Sequence, residues 1–196
     1  MTHYYEKEQN SSLREKEINV SLNGQNFLFF SASALFSKDH LDKATELLIK
    51  KADLTNAKEV LDLGCGWGPV AIILKLQNPE MNFTATDVSD RAIIYTRKNA
   101  KKHGVKIEVI QSSLFENIDE KTFDTILTNP PYVAGRETCK NFILESFKHL
   151  KKGGSLQLVA RHNKGGKFLG DYMKDLFGNV EYLAKQSGFR IYKSIK

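Results

Sequence analysis

The stretch Val60-Leu61-Asp62-Leu63-Gly64-Cys65-Gly66-Trp67-Gly68 constrains this chain more than any other: a short apolar run breaks into three alternating glycines and then resumes as a helical pattern. The apolar run reads as a strand, Glu59–Leu63, from its length and β-branched content. Pro69 opens the helix, because a residue without an N–H costs nothing in a first helical turn. In open parallel α/β sheets such a turn sits at the carboxyl end of the first strand, where nucleotide-like ligands touch backbone. Alone, the glycine run also fits a tight strand-to-helix connection that holds no ligand.

The pattern before this turn is of a different kind. Residues 1–16 are polar, without helical or strand periodicity, and read as an extended arm. Ile18, Val20 and Leu22 alternate with polar residues, Asn23-Gly24 follows, and 26–30 is a second apolar run, which predicts a β-hairpin. Residues 31–34 read as a loop. Leu41, Ala44, Leu47 and Leu48 then give 39–51 the spacing of an amphipathic helix.

After Glu59 strands and helices alternate: strands at 59–63, 82–86, 106–110, 123–128 and 155–160, helices at 69–77, 89–103 and 136–150. The last strand is entered through Lys151-Lys152-Gly153-Gly154. The chain then finishes with a helix at 167–177 and two short strand runs, 180–183 and 189–193, joined at Gln186-Ser187-Gly188. The expected fold class is α/β: a doubly wound, Rossmann-like, mostly parallel seven-stranded sheet with an antiparallel C-terminal edge, preceded by a hairpin and helix. Residues 1–53 form the N-terminal arm, hairpin and helix, and 54–196 the main domain.

At 196 residues the chain is long enough for one well-cored domain with a modest extension. No apolar run approaches a membrane span and residues 1–10 lack a secretory pattern, so a soluble, cytoplasmic protein is expected. Cys65 and Cys139 have no ligand spacing, nor do His3, His40, His103, His149 and His162, so no metal site is expected. The formal charge of +6 is unevenly placed: residues 136–196 carry 13 Lys and Arg against 5 Asp and Glu, or +8, which leaves −2 for residues 1–135. That excess suits a polyanion approaching from one side, and it also fits a plain solvated surface.

Two further features bear on the glycine turn. Asp87 follows the second main strand, where in this topology an acidic side chain accepts hydrogen bonds from the ribose hydroxyls of a bound nucleoside. It could instead cap the next helix, a role open to Ser89 and Asp90 as well. Asn129-Pro130-Pro131-Tyr132 ends the fourth main strand and so faces the same crevice. Its prolines fix the backbone and remove donors, leaving the Asn129 amide oxygen and the Pro130 carbonyl as acceptors suited to an amine, with Tyr132 able to stack on a planar group. Holding both amine hydrogens directs the nitrogen lone pair at an electrophile placed in line.

These motifs together resemble the Rossmann-like S-adenosylmethionine-dependent methyltransferases that act on exocyclic amines, over nearly the whole chain. More narrowly, Phe36-Ser37, Asp42, Thr45, Phe142-Ile143, 150–154 and 177–181 are similar to the small-domain family related to ribosomal RNA guanine-N2 methyltransferases. The chain departs from that pattern at Ala34-Leu35-Phe36-Ser37, and at Ser112-Ser113-Leu114, where the family often has an acidic residue against the adenine.

The resemblance implies S-adenosylmethionine as cofactor. Asp62, Gly64 and Gly66, with Cys65, would hold its methionine end, Asp87 and Val88 its ribose, and Ser113 and Leu114 its adenine. Asn129, Pro130, Pro131 and Tyr132 would be catalytic, with Asn129 also beside the cofactor. Tyr132, Arg136, Arg161, His162 and Lys164 would meet the substrate, with Lys140 and Lys167 in reach of phosphates. The function so implied is methylation of an RNA base amine, guanine in ribosomal RNA, with RNA as the partner. Protein glutamine methylation and a non-catalytic RNA-binding module are the alternatives, and DNA adenine methylation is disfavoured by the little room left for a sequence-reading domain.

Overall fold

The computed structural model describes residues 14–33, 35–118, 120–131 and 135–196. The order is β1 (Glu15–Leu22), β2 (Gln25–Ala32), α1 (Lys43–Lys51), β3 (Glu59–Leu63), α2 (Pro69–Gln77), β4 (Asn82–Asp87), α3 (Asp90–Lys102), β5 (Glu108–Gln111), β6 (Phe123–Thr128), α4 (Arg136–His149), β7 (Leu150–Arg161), α5 (Lys167–Phe177), β8 (Glu181–Gln186) and β9 (Phe189–Ile195). A kinked turn, His162–Gly166, precedes α5.

The seven-stranded sheet runs β5-β4-β3-β6-β7-β9-β8, parallel from β5 to β7 and antiparallel at β9 and β8. From β3 the chain winds one way through β4 and β5, then returns to place β6 on the other side of β3. The carboxyl ends of β3 and β6 therefore flank the point where winding reverses, the place in such sheets where a crevice opens. Central strands are covered on both faces, which is why burial runs along β3 and β6 without alternating.

The hairpin β1–β2 forms its own two-stranded sheet, turning at Asn23 (φ 50°) and Gly24 (φ 77°), the left-handed pair that a two-residue hairpin turn requires. Its inward residues Ile18, Val20, Leu22, Phe27 and Phe29 join one core with α1, α2 and β3. Phe29 meets the Trp67 ring edge-on at 5.0 Å. Asn99 of α3 pins the joint: its Oδ1 accepts the Phe30 N–H at 2.7 Å, and its Nδ2 donates to the carbonyls of Phe30 and Trp67, each at 2.8 Å.

Several boundaries differ from expectation, each for a local reason. Ser31 and Ala32 continue β2 instead of entering a loop, and α1 begins at Lys43 because Asp42 caps it. The arm expected at 1–16 falls mostly outside the described residues, and Glu15 and Lys16 already belong to β1. β5 begins two residues later than predicted, and the Lys151–Gly154 segment is strand, its Gly153 N–H and Gly154 carbonyl paired with Lys196. β8 and β9 extend past 183 and 193 because they pair with each other and β9 also pairs with β7.

Asn99→Ala would leave two buried carbonyls and an N–H without partners, at a cost of about 2–4 kcal/mol. Urea unfolding should show that loss, and amide exchange should show β2 deprotected first. An unchanged unfolding free energy would mean that the hairpin is held by its apolar face alone.

Candidate active site

The glycine turn is tied down by the neighbouring strand. The N–H groups of Gly64 and Cys65 both donate to the Thr86 carbonyl, at 2.8 and 2.9 Å, and the Gly66 N–H donates to Asp87 Oδ2 at 2.9 Å. Gly66 (φ 59°) has open space where a Cβ would stand. Gly68 (φ 90°) is different: a Cβ there would lie 2.9 Å from Ile72 Cδ1 and 3.0 Å from Thr96. That glycine is the N-cap of α2 and has no side chain to offer, so Asp62 supplies the cap from β3, its Oδ2 accepting the Ala71 N–H at 3.2 Å.

Both carboxyls at the turn are destabilised as anions. Asp62 is 3% exposed. Burial, against the single Ala71 bond and with Asp87 nearby, pushes its pKa up from 3.8 to about 7. Desolvation likewise raises Asp87, although three backbone N–H groups, of Ser89, Gly66 and Val88, work against it. Ser89, not Asp87, is the residue that caps α3, through its Oγ and the Ala92 N–H. A buried acid beside a half-buried one, with no cationic partner among the described residues, is what a positively charged or hydroxyl-bearing ligand can relieve.

These groups line a cavity of about 250 Å³. Asp62, Gly64, Cys65, Gly66, Asp87, Val88, Ser113, Leu114, Asn129, Pro130 and Pro131 all face it, from β3, β4, the loop after β5, and β6. Leu114 adopts φ 52°, a left-handed conformation unusual for a leucine, at the cavity margin. Thr86 also lines the cavity, and its buried Oγ1 has no hydrogen-bond partner among the described residues. Tyr132 lies outside the described residues. Cys65 is buried beside Thr96 Oγ1, and burial drives its thiol well above the ordinary range; Cys139 is raised to about 11 by the same cause. Neither sulfur has thiolate character at neutral pH.

Arg136, Arg161, His162 and Lys164 do not line the cavity. Arg136 sits over the Phe168 ring, Arg161 over Phe189, and Lys140 between Phe168 and Tyr172, so these cations stack on aromatic rings at the outer side of α4, α5 and β9. His162 Nδ1 is 2.8 Å from the Tyr192 hydroxyl in a shallow depression shared with Lys185 and Arg190. Desolvation, Arg190 and Lys167 lower its pKa.

The cavity also contains residues to which sequence analysis assigned no role. Asp42 and Thr45, from the start of α1, line it, as do Leu35, Phe36 and Phe142. Asn129 Nδ2 donates to Asp42 Oδ2 at 3.1 Å and to Thr45 Oγ1 at 3.0 Å. Their resemblance to family positions was the signal that singled them out; spacing along the chain carries nothing of a contact across 87 positions.

A family model described as "Methyltransferase small domain" matches residues 26–193. The chain belongs to that family. Among its relatives, YbxB of Bacillus subtilis (strain 168), an uncharacterized protein, is 32% identical, over 99% of this chain and 98% of that protein. A ribosomal RNA small subunit methyltransferase C from Pseudoalteromonas translucida (strain TAC 125) is 34% identical over 94% of this chain and 54% of its own length. This member of the small-domain family thus spans about half the length of the methyltransferase C relatives it matches. Among solved structures, a T. thermophilus 16S rRNA N2 methyltransferase in complex with AdoMet and guanosine superposes with a TM-score of 0.81 at 20% identity, covering 96% of this chain and 52% of that one. The shared fold includes the mostly parallel seven-stranded sheet and its antiparallel edge.

The raised Asp62 pKa has a measurable consequence. An acid with a higher pKa folded than unfolded binds more protons in the folded state, so stability falls as pH rises from about 4 to about 7. Asp62→Asn keeps an acceptor for Ala71 and removes the ionisation. Urea unfolding at pH 5 and pH 8 should show a smaller drop in the variant than in the wild type, by on the order of a few kcal/mol. Equal drops would show that Asp62 ionises freely.

Proposed function

We propose that this chain transfers a methyl group from S-adenosylmethionine to an exocyclic amine of an RNA base, guanine in ribosomal RNA, in the cytoplasm. One observation carries the reading: the carboxyls of Asp62 in β3 and Asp87 in β4, on either side of the glycine turn, share a single cavity with the acceptors Asn129 and Pro130. The residues present fit the cofactor. Thr86, a lining residue, carries an unsatisfied buried hydroxyl, Gly66 leaves room where a side chain would stand, and Asp62 suits an ammonium group. The relatives' names support ribosomal RNA as the substrate.

In this reading Asp62 pairs with the amino group of the methionine moiety, whose charge draws the carboxyl back to its ionised form. Asp87 keeps lone pairs for ribose hydroxyls beyond the Gly66, Ser89 and Val88 N–H groups it already faces. Ser113 and Leu114 border the base. When bound, S-adenosylmethionine supplies an electrophilic methyl carbon attached to a positively charged sulfur. Asn129 Oδ1 and the Pro130 carbonyl accept the two hydrogens of the target amine and aim its lone pair, and one of those protons passes to water after transfer. Tyr132 stacks on the base. Arg136, Lys140, Arg161, Lys164 and Lys167 meet flanking phosphates from outside the cavity.

The test is transfer of a labelled methyl group from S-adenosylmethionine into total RNA, DNA and protein, followed by mapping of the modified nucleoside. N2-methylguanosine in ribosomal RNA is the expected product; label in protein alone would favour glutamine methylation, and no label a binding module. Asp87→Ala should abolish most of the thermal shift that S-adenosylmethionine gives the wild type. Asn129→Ala should keep that shift and lose turnover, and a fully active variant would remove the amine-orienting role.

A further inference from the structure

We propose that Asp42 and Thr45 are positioning residues that fix the Asn129 amide with its oxygen toward the substrate amine. The inference rests on the function proposed above and adds to it a device outside the Asn-Pro-Pro motif. An asparagine side chain is nearly symmetric in shape, and rotating it by half a turn exchanges an acceptor for a donor. For a residue that must accept from an amine, the wrong rotamer presents N–H to N–H.

The surroundings select one orientation. Asp42 Oδ2 accepts the backbone N–H groups of Ala44 and Thr45, at 3.0 and 3.1 Å. Backbone N–H groups only donate, so this oxygen acts as an acceptor, and the Asn129 atom 3.1 Å from it is the NH2. The Thr45 hydroxyl lies 3.5 Å from Asp42 Oδ2, toward which it directs its hydrogen, and so turns a lone pair to Asn129 Nδ2 at 3.0 Å. Two acceptors thus face one side of the amide, leaving Oδ1 for the cavity. A half-turn would set Oδ1 against the Asp42 carboxylate oxygen and oblige the Thr45 hydroxyl to turn its hydrogen away from Asp42.

An N-cap needs only the bonds to Ala44 and Thr45; the contact to Asn129 is additional. It also brings a carboxyl group to the far end of the amide. Polarisation through Asp42, the Asn129 N–H and Oδ1 strengthens the acceptor as positive charge grows on the attacked nitrogen. The first turn of α1 therefore participates in the site through Asn129.

Substitutions separate this role from capping. Asp42→Ser still caps α1 and is too short to reach Asn129, Thr45→Val keeps the shape and loses the acceptor, and Asp42→Asn restores an acceptor at the same place. With labelled S-adenosylmethionine and total RNA, the Asp42→Ser/Thr45→Val protein should lose on the order of 10- to 100-fold in kcat, the scale of a misoriented reacting group, with the S-adenosylmethionine thermal shift retained. Asp42→Asn should recover most of the loss. In an Asn129→Ala background the same pair should change the residual rate less than about twofold, since residues acting through one partner are non-additive. Wild-type kcat in the double variant, or losses that add fully to that of Asn129→Ala, would overturn the proposal while the amine-orienting reading stands. Full activity of Asn129→Ala would overturn both. Thr45→Val alone carries the same comparison should Asp42→Ser fail to fold.

Discussion

The attachment of the glycine turn to β4 is the constraint from which the rest of the site follows. Two successive N–H groups share the Thr86 carbonyl, a third reaches Asp87, and Asn99 holds the Trp67 carbonyl from above. These bonds keep the backbone between β3 and α2 low and open, so that nothing but hydrogen stands at Gly66. Because Asn99 also grips Phe30, the hairpin is fastened to the same turn, and one buried amide joins three parts of the chain.

That arrangement costs stability. Asp62 and Asp87 are held in a desolvated pocket close enough for one to raise the other, and Thr86 Oγ1 has no partner. A core built for stability alone would place apolar residues here. The strain is located at the mouth of the sheet where winding reverses, and Leu114, in a left-handed conformation, borders the same cavity. Local violations of good packing cluster where a polar ligand would resolve them.

Much of the fold was readable from residues alone. Asn23-Gly24 announced the hairpin because its turn demands left-handed residues, and the alternation after Glu59 announced a parallel sheet because the strands at 59–63, 82–86 and 123–128 are each followed by a helix-length pattern. Boundaries set by pairing were less readable. Lys151–Gly154 reads as a polar entry, yet it becomes strand because the chain's last residue pairs with it, and β8 and β9 lengthen for the same kind of reason. Pairing with a distant segment leaves no local trace.

The site divides in the same way. Gly64, Gly66, Asp62, Asp87, Asn129 and Pro130 carry their meaning in residue type and in their place at strand ends, since any chain that folds into this sheet must bring those ends to one crevice. Arg136 and Arg161 carry charge that the sequence reveals, but only the packing of Phe168 and Phe189 beneath them sets where that charge is held, outside the cavity. Asp42 stands in the sequence only as a position similar to the small-domain family, inside a helix expected from residue 39, and the structure makes it the cap of α1. Its second role, as the acceptor that turns the Asn129 amide, exists because the first turn of α1 is folded against the end of β6, and a contact of 3.1 Å between side chains so far apart in the chain is a product of packing.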